Sequence, residues 1–362
     1  MSVLPTFTRA STAYKEDGTS VASGVPRIES SGVKIEEGTT NLIPSSTVLV
    51  KYSPSEYTTE VVTEGEYTGW TKVILSYVCS QGYIGYLPVY PISAGSSRSF
   101  SIEFVSLTSK VIPTLAGGTE FAMSVIDGNR YSVTYTNSTT GALYLGIYFI
   151  SRGYKGQFVS ETFYYRNVQY EDKAYATSFT PTTRSAEALT IPSSALSVTE
   201  GTIEFDFIAP QNIFSGGASV VITLNSDFTN KNCLDVQLNA TRYIQLFVGA
   251  GSSYNRLDTN VVAVAGTKYR VSFRWSSTSV SIAVNGVIKA TINSPAVFAI
   301  ENYIYLGRLA TSTYFLNSTI SNLRISNKAR SDTELAYTGD LAVDYYTTYL
   351  LPCKTSLVPK NF

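Results

Sequence analysis

Apolar residues recur at every second position along much of the chain. Phe100, Ile102 and Phe104 are separated by Ser101 and Glu103, and Tyr131, Val133 and Tyr135 by Ser132 and Thr134. Ile203, Phe205 and Phe207 alternate with Glu204 and Asp206. Tyr269, Val271, Phe273 and Trp275 alternate with Arg270, Ser272 and Arg274. A period of two puts alternate side chains on opposite sides of an extended backbone, so each run predicts a strand with one dry and one wet face. Residues 280–292 predict a hairpin: Val280, Ile282 and Val284 lead into Asn285-Gly286, and Val287, Ile288, Ala290 and Ile292 follow. Asn-Gly takes the two positive φ angles of a type I′ turn. Helical signals are almost absent. The exception is 331–336 (SDTELA), where Ser331 can cap a short helix and Glu334 can complete a capping box. Many short strands with turns between them predict an all-β protein of two antiparallel β-sandwich, or jelly-roll, domains.

Shifts in composition suggest the boundaries. Residues 1–44 are rich in Thr, Ser, Gly and Glu, with little apolar periodicity before Val33, and read as an N-terminal leader. Residues 45–182 hold one set of strands and most of the glycine-flanked tyrosines, and 180–185 (TPTTRS) looks like a linker. Residues 183–336 hold a second set, and the tyrosine-rich 337–362 reads as a C-terminal extension. FTRAS at 7–11 and TRSAE at 183–187 echo each other, too briefly to count as a repeat.

Composition narrows the chemistry. None of the 362 residues is histidine, which excludes Ser-His-Asp and Cys-His nucleophile pairs and His-ligated metals. Lys+Arg and Asp+Glu are each 27 and there is no basic run, which argues against nucleic acid as a partner. Cys79, Cys233 and Cys353 are odd in number and far apart, and form neither a metal motif nor a disulfide framework. The N-terminus lacks a secretory pattern, and the longest apolar run, 142–150, is too short for a membrane helix. The chain therefore reads as soluble, without membrane insertion.

Four groups of residues are candidates for function. Glu204 and Asp206 project from one face of a strand. Glu-x-Asp resembles the start of the active-site motif of family-16-type glucanases, but the chain continues Phe207-Ile208-Ala209-Pro210 and lacks that motif's second Glu. A solvated outer strand face is the simpler expectation. In the first domain Trp70, Tyr77, Tyr83, Tyr86 and Tyr90 lie close together, followed by Tyr144, Tyr148, Tyr154, Tyr164 and Tyr165. Sugar C–H faces pack on such rings, and the tyrosine hydroxyl can bond sugar hydroxyls. Trp70, Tyr83, Tyr86 and Tyr90 are therefore carbohydrate-binding candidates, with Tyr83 and Tyr86 the pair expected to be exposed. Tyr254, Asn255 and Arg256 join them from an expected loop at 250–258, which also carries Asp258. Asn225, Asp227, Asn230 and Asp235 offer oxygen ligands near a strand end, but no EF-hand spacing supports Ca²⁺, and no cofactor is expected.

The leader carries FTRASTAY at 7–14, GVPRI at 24–28, VKIEE at 33–37 and TNL at 40–42. In this order these pieces resemble the opening of bacteriophage tail and neck proteins. NVQYED at 167–172 and YATSFTPT at 175–182 resemble the end of a carbohydrate-binding-module-like jelly roll in the same proteins. EGTIEF at 200–205, VSIAVNG at 280–286, IYLG at 304–307, ISNLRIS at 320–326 and KARSDTEL at 328–335 resemble concanavalin A-like, laminin-G-like lectin sandwiches. The resemblance implies a phage tail, neck or fibre protein that binds host-surface glycans without cleaving them. Host cell-wall or surface polysaccharide and other virion proteins would be its partners, and the virion its location. A homo-oligomer fits the symmetry of such appendages. A purely architectural virion protein and, more distantly, a glycan hydrolase are the alternatives.

Overall fold

A computed structural model describes residues 4–43, 49–51, 57–78, 82–108, 110–117, 119–150, 157–211, 218–224, 233–250, 253–293, 302–309 and 314–352. It divides into two compact units. One is discontinuous, Met1–Gly38 with Arg184–Phe362, and the other, Thr39–Thr183, is inserted between those segments. Both are antiparallel and built from the predicted alternating strands. Among the described residues no helix is long and apolar enough to cross a membrane.

In the inserted unit one sheet orders Glu120–Ala122, Ile112–Ala116, Leu143–Ile150, Tyr83–Tyr86 and Val50–Lys51. The other orders Ser124–Asp127, Arg130–Thr136, Ser97–Ser106, Phe158–Glu171, Thr71–Val78 and Tyr57–Val61. Phe100, Ile102 and Phe104 face inward, as their spacing predicts, and pack with Leu115, Ile147, Phe149 and Phe163 in one buried cluster.

The discontinuous unit is a second sandwich. Its seven-stranded sheet orders Thr6–Thr8, Ala188–Pro192, Tyr303–Leu306, Ala218–Thr223, Cys233–Asn239, Tyr243–Ala250 and Ser253–Val262. Its eight-stranded sheet runs from Val287–Ile292 through Val280–Val284, Lys268–Trp275, Gly201–Ile208 and Ser318–Ser326 to Gly32–Ile35 and Ile28–Glu29. Thr347–Leu351 also pairs with Ser318–Ser326. Ile203, Phe205, Phe207, Val271, Phe273 and Trp275 fill the core with Leu246 and Ile304. The 280–292 hairpin forms as predicted, with φ of 50° at Asn285 and 78° at Gly286. The short helix Asp332–Leu335 has the predicted reciprocal cap between Ser331 and Glu334.

The structure departs from two of the expected segments. The leader is not a separate segment: Thr6–Thr8 pairs with Ala188–Pro192 and Gly32–Ile35 with Ser318–Ser326, and Val33 and Ile35 are core residues. Gly32 makes this docking close, since at φ +142° a Cβ there would lie 2.3 Å from the Ile320 carbonyl oxygen. Nor is the C-terminal stretch an appendage, because Tyr349 and Leu351 belong to the same core. At 180–185 the chain passes from the inserted unit into the discontinuous one, and Arg184 is fully buried there in a cluster of charges.

That cluster explains the leader motifs. Glu187 Oε1 accepts from Arg9 Nη1 and Arg27 Nε, each at 2.8 Å, and Oε2 accepts from Arg27 Nη2 at 2.5 Å and the Glu36 amide at 3.0 Å. Arg27 Nη2 also donates to Glu36 Oε2 at 2.7 Å, and Arg184 Nη2 lies 3.2 Å from the same oxygen. All five side chains are essentially shielded from water. TRAS, VPR and IEE thus each supply one charge, and TRSAE supplies two. The echo between 7–11 and 183–187 places two arginines, Arg9 and Arg184, around Glu187.

Candidate functional site

Glu204 and Asp206 belong to a buried polar layer on the outer side of the eight-stranded sheet, so neither the catalytic expectation nor the solvated-face expectation holds. Glu204 is 0 % and Asp206 2 % exposed. Arg324 Nε donates to Glu204 at 2.6 Å, and Arg330 lies 3.5 Å away. Arg270 Nε and Asn322 Nδ2 donate to Asp206. The segment after the helix covers this layer: Gly339 and Ala342 carbonyls accept from Arg270 and Arg324, and the Leu341 amide donates to Asn322. Burial pushes the Glu204 carboxyl up, against the pull of Arg324 and Arg330. A general acid needs such a raised carboxyl, but it must also reach its substrate. This one is sealed beneath its own chain.

The aromatic candidates of the inserted unit fall into two sets. Trp70 is not an exposed platform: it is 6 % exposed, the Arg166 guanidinium lies 4.5 Å from its ring centre, and Tyr67 packs edge-on against it. Tyr90 is half-buried, edge-on to Tyr170 at 5.7 Å, and packed on the core. Both are held by side chains that period-two reading cannot place beside them. Tyr83 and Tyr86, expected to be exposed, are half-buried, and they meet through Tyr148. Tyr86 stacks on Tyr148 with centroids 5.2 Å apart, and Tyr83 meets it edge-on at 5.7 Å. The Tyr83 hydroxyl donates to Glu120 Oε1 at 2.7 Å. Tyr77's side chain and all of Tyr154 lie outside the described residues.

In the discontinuous unit the expected loop at 250–258 is largely strand, Ser253–Val262, paired with Tyr243–Ala250. Because Leu257 faces the core, Tyr254, Arg256 and Asp258 share the outer face of the sheet, while Asn255, though exposed, lies on the other side of the strand. Asn255 sits opposite the core residue Val248, which separates it from its two neighbours. Register carries the outward face across the sheet. Thr6, Thr190, Tyr305, Thr223, Asp235, Phe247 and Arg256 form one lateral row, one residue from each of the seven strands. Gln237, Gln245 and Asp258 form a second row beside it.

The middle of this face is closed and one end is open. Thr223 and Asp235 are buried, with the threonine hydroxyl donating to the carboxylate. At the open end the Tyr254 ring is 49 % exposed and contacts Phe247 at 5.4 Å. Arg256 and Asp258 pair at 3.0 Å while remaining partly exposed, and Gln245 Nε2 donates to Asp258. The sequence singled out Tyr254 and Arg256 as candidates. It did not single out Phe247 and Gln245, since only the pairing of strands sets them beside Arg256 and Asp258.

Among the described residues no group of three or more His, Cys, Asp or Glu is arranged to hold a metal. Of the expected oxygen ligands, Asn225, Asp227 and Asn230 lie outside the described residues.

Residues 183–336 match the family model of the concanavalin A-like lectin/glucanases superfamily (laminin-G type). No curated protein matches the chain. Among solved structures, domain 4 of AbnA, an extracellular family-43 arabinanase from Geobacillus stearothermophilus in complex with arabinotriose, is similar at 18% identity and a TM-score of 0.35, over 42% of this chain and 71% of that one. The Ruminococcus gnavus IT-sialidase CBM40, bound to α2,3-sialyllactose, is similar at 15% identity and a TM-score of 0.32, over 39% and 82%. A heptameric SAP-like pentraxin from Limulus polyphemus is similar at 14% identity and a TM-score of 0.31, over 41% and 70%.

Proposed function

We propose that this protein binds glycans without cleaving them, through the open end of the seven-stranded sheet in its lectin-like unit. The observation that carries this reading is the juxtaposition of Phe247 and Tyr254 with Gln245, Arg256 and Asp258 on one outward face. A sugar ring presents an apolar C–H face and adjacent hydroxyls. Aromatic rings take the first, and planar guanidinium and carboxylate groups take pairs of the second, with the buried Gln245 holding the Asp258 carboxylate in place. Hydrolysis by a carboxylate pair needs two carboxyls flanking the scissile bond, and the pair singled out in the sequence is buried in ion pairs. Single-site binding of this shallow kind is weak, and many copies acting together raise it by avidity.

Titrating the full chain with oligosaccharides and following its methyl NMR signals tests the proposal. Val248 and Leu257 signals should shift at millimolar sugar, and Phe247→Ala should weaken binding about tenfold, the scale of a lost aromatic contact. No shift in this unit, with no release of reducing sugar, would leave an architectural role instead.

The leader motifs support a finer reading: a tail, neck or fibre component of a phage particle, with host-surface polysaccharide and other virion proteins as partners, assembled as a homo-oligomer. Mass spectrometry of purified particles should then recover the chain in stoichiometric amount, and antibody against it should block adsorption. Recovery only from the soluble lysate would count against a virion location.

A further inference from the structure

The inserted unit carries a second set of groups, distinct in residues and chemistry from the lectin-like face. On its Ile112–Ala116 strand Leu115 points into the core, so Thr114 points outward. On Leu143–Ile150, Ile147 and Phe149 point inward and Tyr148 outward, directly beside Thr114 in register. Tyr86 follows in the same row on the next strand. Thr114, Tyr148 and Tyr86 thus share one face of the sheet.

Two observations single out this face. Thr114 is 0 % exposed, yet its hydroxyl has no hydrogen-bond partner among the described residues. A buried hydroxyl without a partner is disfavoured by about 1–3 kcal/mol and is uncommon. Secondly, the 2.7 Å hydrogen bond from Tyr83 to Glu120 joins two strands that are not neighbours, with the strands bearing Tyr148 and Thr114 between them. The lateral separation is three strand spacings, about 14 Å, and Glu120 is level with Ala116 while Tyr83 is level with Ile112, so the phenol and the carboxylate reach toward each other diagonally across the intervening face. The Tyr83 ring rests edge-on against Tyr148 along the way. This bridge is solvent-exposed, which makes it easy to exchange for another hydroxyl.

We propose that this face is a second saccharide site, in which the Tyr83–Glu120 bridge holds the place of a ligand hydroxyl. A neutral hexose unit displaces the phenol, donates a hydroxyl to Glu120, gives the Thr114 hydroxyl a partner, and packs its C–H face against the Tyr86–Tyr148 stack. The Glu120 carboxylate turns away sialic and uronic acids. The proposal rests on the glycan-binding reading but concerns different residues in a different unit, so each can fail alone.

The test follows the methyl signals of Thr114, Ile112 and Ile150 in the full chain, with Val248 and Leu257 reporting on the lectin-like unit. Maltotetraose, cellotetraose and sialyllactose are the probes. A neutral tetrasaccharide should shift the Thr114 group of signals, and sialyllactose should not. Tyr83→Phe frees Glu120 and should tighten binding about two- to tenfold, the scale of one exchanged hydrogen bond. Glu120→Gln should weaken it. Silent Thr114, Ile112 and Ile150 signals with both neutral sugars overturn the proposal, whatever the lectin-like unit does. So does weaker binding by Tyr83→Phe, which would make the phenol a ligand contact rather than a placeholder, or equal response to sialyllactose.

Discussion

Glu187→Ala is expected to destabilise the discontinuous unit by about 3–5 kcal/mol, the range for stripping the partner from buried charges. One carboxylate accepts from Arg9, Arg27 and the Glu36 amide. Without it three buried arginines would face Glu36 alone. A loss of this size is a large part of the about 5–15 kcal/mol that holds a typical domain folded. Each unit carries one of the chain's two tryptophans, Trp275 in the discontinuous unit and Trp70 in the inserted one. Urea unfolding followed by Trp275 fluorescence, in a Trp70→Phe background, should shift its midpoint by about 1 M or more. The Trp70 signal of the complementary Trp275→Phe protein should not move. Arg184→Met should cost less than Glu187→Ala, since it leaves two arginines against two carboxylates. An unmoved Trp275 transition in Glu187→Ala would show that the cluster contributes little net stability.

The same cluster sets an acid limit. Burial alone would push Glu36 up, but Arg184 and Arg27 hold its carboxyl well below the usual range. A carboxylate depressed in the folded state stabilises that state above its unfolded pKa, near 4.3. That contribution fades as pH falls through the lower, folded value. Stability of this unit should therefore decline below about pH 4, and less steeply in Glu36→Gln.

Ending the chain after Ala336 is expected to have an effect at least as large. The superfamily match also stops at residue 336, yet the stretch beyond it supplies Tyr349, Leu350 and Leu351, each at most 1 % exposed. Burial of such side chains contributes roughly 1.5–3 kcal/mol apiece. The cut also uncovers the Glu204 and Asp206 layer and removes Asp344, which pairs with Arg330 at 2.7 Å. Circular dichroism and Trp275 emission should report an unfolded or molten discontinuous unit. Tyr349→Ala in the full chain isolates the packing part, at about 3–5 kcal/mol. A stable, cooperatively unfolding chain ending at Ala336 would show that the covering segment is dispensable.

Local grammar made much of the fold readable. Phe100, Ile102 and Phe104 declared their buried side by spacing alone, Asn285-Gly286 declared its turn, and Ser331 with Glu334 declared a cap. Each of those signals depends on residues within a few positions of one another. What failed depended on partners far away in sequence. Glu204 and Asp206 looked like a wet face until residues 337–346 were laid over them. Trp70 looked like a platform until Arg166 closed over it. The 250–258 stretch looked like a loop because its polar residues alternate with only one strongly apolar position, Leu257.

By itself the sequence determined the class of structure: alternating apolar residues can bury one side only by pairing as strands and stacking two sheets. It also ruled out imidazole chemistry, since no histidine is present. The tertiary structure decided which charges are structural and which are available. Arg9, Arg27, Glu36, Arg184 and Glu187 come from three separated stretches, and only the folded chain brings them within ion-pair distance and out of water. It decided the candidate sites in the same way. Phe247 and Arg256, or Tyr86 and Tyr148, become neighbours through strand register, and Tyr83 meets Glu120 only across the folded sheet. Register is set by the whole core, not by any residue's own surroundings in the chain.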